Sequence, residues 1–547
     1  MQDSYTISGQ IVDVVAGTVF PGKIEVAGGK IAAIVHCDVA ETQYLVPGLI
    51  DAHVHIESSM LVPAEFARLA VVHGTTATVS DPHEIANVLG MDGIDFMIRN
   101  GSLSPFKFHF GAPSCVPATG FESSGAVINA AQTDELLQRD DIHYLSEMMN
   151  FPGVIYGDEE VRLKLASAIK HHKPVDGHAP GLDADTIIKY AAAGITTDHE
   201  CTGIEEAENK INAGMHILIR EGSAARNFEA LIPLLGTHPG KVMFCSDDKH
   251  PDDLVTGHIN LLVKRAIKAG YDPIAVIRAC TLNPVRHYKL SCGLLQAGDA
   301  ADFVVVEDLA GFAIRQTYIN GALVADGGVT LLPSYKYETP NCFRAPFIKL
   351  SDLEVPCGKG KLKVIQAYDG DLVTGSFLAE PLTFNGLVIS DTEQDILKIT
   401  VINRYQPSKP AIAFIRGFGL QRGAMASTVA HDSHNLICMG TNDADMLTVI
   451  NSLVEHKGGI AVTDGKQLDV LPLPVAGLMA AADGYLAAAT YEEINHKALA
   501  LGGPLKAPFM TLSFMALLVI PELKLSDKGL FDGKAFVFTS LFEEEAE

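Results

Sequence analysis

The chain has 547 residues, of which 48% are hydrophobic and 20% charged, a composition suited to a well-cored globular protein too long for one ordinary domain. Lys and Arg number 41 against 66 Asp and Glu, a net charge of −25 with no basic stripe, which argues against nucleic acid and anionic membrane as partners. The nine cysteines are scattered, with no C-x-x-C pair, as suits reduced thiols in a cytoplasm.

The first residues, "MQDSYTISGQ", carry no basic or apolar leader signal, so a cytoplasmic location is expected. Residues 5–35 alternate short strand patterns with Gly-rich turns. From residue 45 to about 250, β-branched runs alternate with segments of helical period, the pattern of repeated βα units. Strands are predicted in 45–57, 74–84, 106–114, 142–150, 174–180, 195–201, 215–223 and 241–249, with helices such as 159–172 and 182–194. Eight such units close into a (β/α)8 barrel. Residues 293–332 return to short strands, so a small β-sandwich built from 1–46 and 288–333 is expected to flank a barrel of 47–287. "SYKYETPNCFRAPF" (334–347) reads as a linker, and 350–547 as a C-terminal α+β domain. The apolar run "FMTLSFMALLVI" (509–520) is too short to cross a bilayer and predicts a core helix.

Polar residues gather where the barrel strands end. "GLIDAHVHIES" (49–59) places His53 and His55 two apart on one strand face, with Asp51 on the same side. Asp81, His83 and Glu84 follow the second strand, Glu147 the fourth, His178 the fifth, His199 the sixth, and Asp247 and Asp248 the eighth. A lone buried His is ordinarily a satisfied core group, but six strand ends feeding one rim need a compensating cation. Four imidazoles and an aspartate are too many for one tetrahedral ion that keeps a water, so two ions fit better, bridged by Glu147. Nitrogen and oxygen donors favour Mn, Fe or Zn. Cys201 and Cys245 read as structural. His55-Ile56-Glu57 matches half of the zinc cytidine-deaminase signature, yet no C-x-x-C follows, which excludes that mechanism.

The blocks "VPGLIDAHVHIESSM", "SDPHEIANVLG", "EMMNFPGV", "DGHAPGL", "TTDHECT" and "CSDDK" resemble, in order, those of the amidohydrolase superfamily, and within it the adenine deaminases of bacteria and archaea. The likeness extends to "GLQRGAMASTVAHDSHNLICMGTN" (419–442) and "GGIAVTDGKQLDVLPLPVAGLM" (458–479). It implies two divalent metals, Mn²⁺ foremost with Fe²⁺ or Zn²⁺ as alternatives, held by His53, His55, Glu147, His178, His199 and Asp247. Glu147 stands where many relatives carry a carboxylated lysine. The His-x-x-Glu that supplies a ring-protonating Glu in other deaminases is absent, since "HAPGLD" follows the fifth strand.

The implied reaction is hydrolysis of adenine to hypoxanthine and ammonia by a metal-activated hydroxide at C6, with Asp247 as proton carrier and Glu84 protonating N1. Glu84 also fits a capping box with Asp81. His83 is a second-layer group, a further ligand or a rim residue. Arg220 and Ser223 are candidate purine contacts, with a structural ion pair the other reading for Arg220, and Asp248 is a hydrogen-bond partner or a helix cap. His431 and His434, beside Asp432, suggest a loop closing over the site, or else a hydrogen-bonded turn. A homodimer or larger assembly is expected from the resemblance. The alternatives are a relative acting on another purine or cyclic amide, and a noncatalytic scaffold, which would be expected to have lost ligands.

Overall fold

The structure is a computed structural model that describes residues 4–369 and 371–543. Eight short parallel strands make its centre: β1 (Leu49–Val54), β2 (Thr75–Ser80), β3 (Lys107–Ala112), β4 (Ile142–Met148), β5 (Val175–Gly177), β6 (Thr197–Asp198), β7 (His216–Arg220) and β8 (Val242–Cys245). Every residue of β1, β2 and β8 is buried, as parallel strands covered on both faces require. β1 to β5 form one parallel sheet and β6 to β8 another. The first seam closes where Thr196 N–H donates to the Val175 carbonyl at 2.9 Å, and the second where Asp247 N–H donates to the His53 carbonyl at 2.9 Å. The result is a (β/α)8 barrel whose second seam lies between two of the polar strand ends.

Its helices begin where side chains can occupy free backbone N–H groups. Asp158 caps Glu159–Lys170 by accepting from Val161 N–H, and Asp183 caps Ala184–Ala192 by accepting from Thr186 N–H. Both helices lie within the predicted segments.

The flanking β-region is hydrogen-bonded as one eight-stranded sheet. From edge to edge it runs Val329–Thr330, Ala322–Asp326, Ile314–Ile319, Phe303–Val306, Tyr44–Pro47, Ser4–Asp13, Thr18–Ala27 and Lys30–His36. Phe303–Val306 pairs antiparallel with Tyr44–Pro47, which joins chain from before the barrel to chain from after it. The sheet curls back on itself: Ile31 N–H reaches the Asp299 carbonyl, and Ala301 N–H the Gly29 carbonyl, each at 2.9 Å. Ile11, Ile24, Leu45, Phe303 and Val305 fill the enclosed core.

The C-terminal region is mostly strands. Its main sheet orders Gly375–Ala379, Leu362–Gln366, Ala411–Arg416, Leu397–Ile402, Leu436–Gly440, Ala424–Ser427, Gly459–Thr463 and Leu468–Pro472, with helices Asp443–His456 and Gly484–Ala500 against it. One apolar core runs from the barrel (Val54, Phe66, Met148) into this region (Met425, Met479, Phe514). A polar clasp reinforces it. The buried Glu65 carboxylate accepts from Tyr337 Oη at 2.6 Å and Gly484 N–H at 2.8 Å, while Arg68 pairs with Asp483 at 2.7 Å.

The 509–520 run departs from the predicted core helix. Only Pro508–Ser513 is α-helical, a 3₁₀ turn covers Phe514–Ala516, and Leu517 is extended. Pro521 disfavours helix in the residue before it, and the unwound stretch stays in the apolar core while Phe514, Leu517 and Val519 also border a cavity. Among the described residues no helix is long and apolar enough to cross a membrane.

Candidate metal centre and active site

At the C-terminal mouth of the barrel, four imidazoles from three strands converge on two carboxylates. Glu147 faces His55 with one oxygen, 3.2 Å from Nε2, and turns the other to His178 Nδ1 at 2.7 Å and His199 Nε2 at 3.2 Å. Asp247 Oδ1 lies 3.2 Å from His55 Nε2 and 3.6 Å from His53 Nε2. The His53 and His199 rings stack with centroids 4.2 Å apart. Asp247 holds a left-handed backbone, φ 55°, costly for any residue but glycine and tolerated best by Asn and Asp. Its backbone also joins β1, accepting from His55 N–H at 3.4 Å and donating to the His53 carbonyl.

Two observations test whether these residues fit cations. His55 Nδ1 lies 3.2 Å from the Asp81 carbonyl, an acceptor that places the ring proton there. Nε2 is then the nitrogen turned toward the Glu147 and Asp247 carboxylates, 3.2 Å from each, the position from which an imidazole ligates a cation held between them. In addition, the wholly buried His53 finds no hydrogen-bond partner among the described residues for either ring nitrogen. Burial alone would raise the Glu147 and Asp247 carboxyls. The surrounding imidazoles outweigh it for Glu147, and Arg220 with His53 and His55 for Asp247, so both are held well below the usual carboxylate range. An all-nitrogen and oxygen set with two ionised carboxylates suits hard or borderline divalent ions.

Asp51 does not join this set. Its oxygens take Ser246 N–H at 3.0 Å and pair with His258 Nε2 at 2.8 Å, so it ties β1 to β8 and the following helix. Alternation along the strand places it on the correct side, but the His258 ring captures it first.

A second cluster lies across the mouth. Glu84 is buried, with His431 Nδ1 at 2.6 Å from one oxygen and His434 Nε2 hydrogen-bonded to the other. Asp81 instead takes His83 N–H at 3.1 Å, and no capping box forms. Burial pushes Glu84 upward, but His431, His83 and His434 outweigh it and hold the carboxyl well below its ordinary range. His83 fills the space between the clusters, its Nδ1 3.1 Å from Asp81 and its Nε2 3.4 Å from Glu84.

The cavity between the clusters is small, about 40 Å³, and opens partly to solvent. His55, Glu147, His178, His199 and Asp247 face it from the barrel, and His431 and Asp432 from the C-terminal region. His434 stands behind Glu84. Asp248 faces the cavity, accepting from Ser58 Oγ at 2.5 Å. Arg220 also borders it and is ion-paired, bridging Asp247 at 2.7 Å and Glu200.

Ser223 is turned away, against the expectation of a purine contact. Its hydroxyl donates to Asp253 at 2.5 Å and accepts from His250 N–H at 2.9 Å, which fixes the loop after β8. Two further features border the cavity without a signal of their own in the sequence. Glu200, marked in sequence only by its place beside His199, lines the cavity, and Leu372, Phe514, Leu517 and Val519 form an apolar roof indistinguishable in sequence from core.

Comparison with known proteins agrees over the full length. Residues 44–324 match the amidohydrolase family, and residues 371–537 the adenine deaminase C-terminal domain. An adenine deaminase of Salinibacter ruber is 51% identical over 545 residues, covering 99% of this chain and 100% of that protein. One from Methanosarcina mazei is 52% identical, with 98% and 99% covered. One from Borreliella burgdorferi is 46% identical, with 98% and 99% covered. With the barrel domain, the C-terminal domain and near-complete coverage in agreement, the chain belongs to the adenine deaminase family of amidohydrolases.

Proposed function

We propose that the protein hydrolyses adenine to hypoxanthine and ammonia at the mouth of the barrel. The observation that carries this reading is His55 Nε2 set between the Glu147 and Asp247 carboxylates, with His178 and His199 on the far Glu147 oxygen, beneath a roofed, polar-walled cavity. In this reading two divalent ions, Mn²⁺ foremost and Fe²⁺ or Zn²⁺ as alternatives, are held by His53, His55, Glu147, His178, His199 and Asp247. When bound, such ions supply Lewis acidity that brings the pKa of a water to about 7.

Asp247 takes the proton of the attacking oxygen and hands it to the departing amine. Arg220 keeps that carboxylate ionised and aimed, and Glu200 neutralises Arg220 from behind. Asp248 and His83 border the ring, and the roof of Phe514, Leu517 and Val519 excludes water from the purine face. The scattered free thiols fit a cytoplasmic setting, and a homo-oligomer is carried over from the family resemblance.

Ultraviolet absorbance following adenine to hypoxanthine, with ammonia release and with or without added Mn²⁺, tests the reaction. A purine and cyclic-amide panel tests the substrate. Faster turnover of another member of the panel would displace adenine. Metal analysis of His53→Ala should show less bound metal than wild type, and unchanged content would remove His53 from the ligand set.

A further inference from the structure

In the expected mechanism Glu84 donates a proton to the purine ring, but its surroundings leave it none to give. Ala430 N–H donates to His434 Nδ1 at 3.2 Å, so the proton of that ring sits on Nε2, directed at Glu84. Burial keeps His434 neutral by lowering it to about 4. The other Glu84 oxygen faces His431 Nδ1 at 2.6 Å. Glu84 is thus an acceptor on both oxygens, locked from two sides.

The same contacts orient His431. With Nδ1 committed to Glu84, Nε2 is the nitrogen left to the cavity that this ring borders, and among the described residues it has no hydrogen-bond partner. Phe514 packs nearly flat on the ring, centroids 5.1 Å apart at 27°, and fixes its plane. The groups facing it are the carboxyls of Glu84, Asp248 and Asp432 and the imidazoles of His250 and His434, the latter with its ring centroid 5.5 Å away. A buried carboxylate behind one imidazole nitrogen holds the ring in place and stabilises its cation, leaving the far nitrogen to act on substrate.

We propose that His431 is the acid that protonates purine N1, with Glu84 as its positioning partner. This rests on the deaminase reading and revises one role within it. As the hydroxide oxygen bonds C6, the C6–N1 π pair moves to N1, which takes the proton from His431 Nε2. The hydroxyl proton then passes through Asp247 to the amine. The C6–N bond breaks with its pair, ammonia leaves, and C6=O forms. N1 keeps the His431 proton as the N1–H of hypoxanthine, and the next water, in becoming hydroxide, returns one proton to His431. The charge balance supports this: burial lowers His431, but Glu84, Asp248 and Asp432 overcome it and raise the ring to about 9.

The test compares His431→Gln and Glu84→Gln with wild type in pH profiles of kcat and kcat/KM, each variant first matched for metal content and Tm. His431→Gln should lose ~10²-fold or more in kcat with a smaller change in KM, and the alkaline limb of its profile should vanish. Glu84→Gln should keep that limb but move it to lower pH, because the anion that raises the imidazole is gone. This second arm stands alone if His431→Gln does not fold. The proposal is overturned if His431→Gln stays within ~10-fold of wild type with its limb intact, or if Glu84→Gln erases the limb. Wild-type protein that releases no ammonia from adenine would sink the deaminase reading itself, an outcome distinct from active wild type with indifferent variants.

Discussion

The barrel wall of the cavity draws its donors from strand ends, whereas the C-terminal wall draws its donors from a loop between Ala424–Ser427 and Leu436–Gly440. On the barrel side the backbone ladder fixes each side chain: His53 and Asp247 are held by the hydrogen bonds that close the barrel. On the other side no ladder reaches His431 or His434. Buried side chains brace that loop instead. Arg404 donates to the His434 carbonyl at 3.2 Å and the Ala476 carbonyl at 2.6 Å, and Tyr405 Oη donates to the Ser433 carbonyl at 2.5 Å. One wall is therefore positioned by secondary structure and the other by polar bracing, so damage to the two should look different.

The largest effect is expected on the barrel wall. Asp247→Asn should cut kcat by roughly 10³-fold or more and lower metal content, because it removes a proton carrier and an anionic ligand together. The backbone hydrogen bonds of Asp247 survive, so the barrel seam should stay closed and the stability loss should be confined to the broken Arg220 pair and the lost metal. A variant with full metal and near-normal kcat would break the assignment. On the opposite wall, Arg404→Ala should cost about 3–5 kcal/mol in urea unfolding, because several buried carbonyls lose their donor at once. Activity should fall as a consequence of that loss, and recovery of activity with no stability change would contradict the bracing role.

Lys524 sharpens the comparison through pH. Its buried ammonium donates to the Phe514 carbonyl at 2.9 Å and the Leu372 carbonyl at 2.7 Å, under the apolar roof, and burial lowers it to about 7. Between pH 7 and its ordinary value of 10.5 the unfolded chain holds a proton that the native state has released. Stability should therefore rise with pH across that window, by at most about 1.4 kcal/mol per pH unit, and this contribution should be absent in Lys524→Met. Equal slopes of unfolding midpoint against pH in the two proteins would reject it. The smallest effect is expected at Ser223, where Ala should change kcat/KM less than about threefold, since the hydroxyl serves the Asp253 loop.

The same contrast explains what could be read from the chain. His53, His55, Glu147, His178, His199 and Asp247 stand out in sequence because each interrupts or ends a buried strand, where a titratable group is costly without a partner. Alternation carries the reading only as far as the face of a strand. It cannot say that His258, far along the chain, takes Asp51 out of the cluster. The roof was not legible, because Phe514 and Leu517 belong to the core and nothing in their local sequence marks that they also border the cavity. The Glu84 contacts with His431 and His434 span 347 and 350 positions respectively, and no local spacing rule connects them.

The curled sheet beside the barrel has a consequence for how the molecule is made. Tyr44–Pro47 is translated early, yet its neighbour Phe303–Val306 emerges only after the entire barrel. At about 5–20 residues per second, the early hairpin strands wait some tens of seconds with a sheet edge open to other chains. The sheet thus acts as a late fastener: nascent chains stalled before residue 303 should be sticky, and completing the fastener should end that hazard.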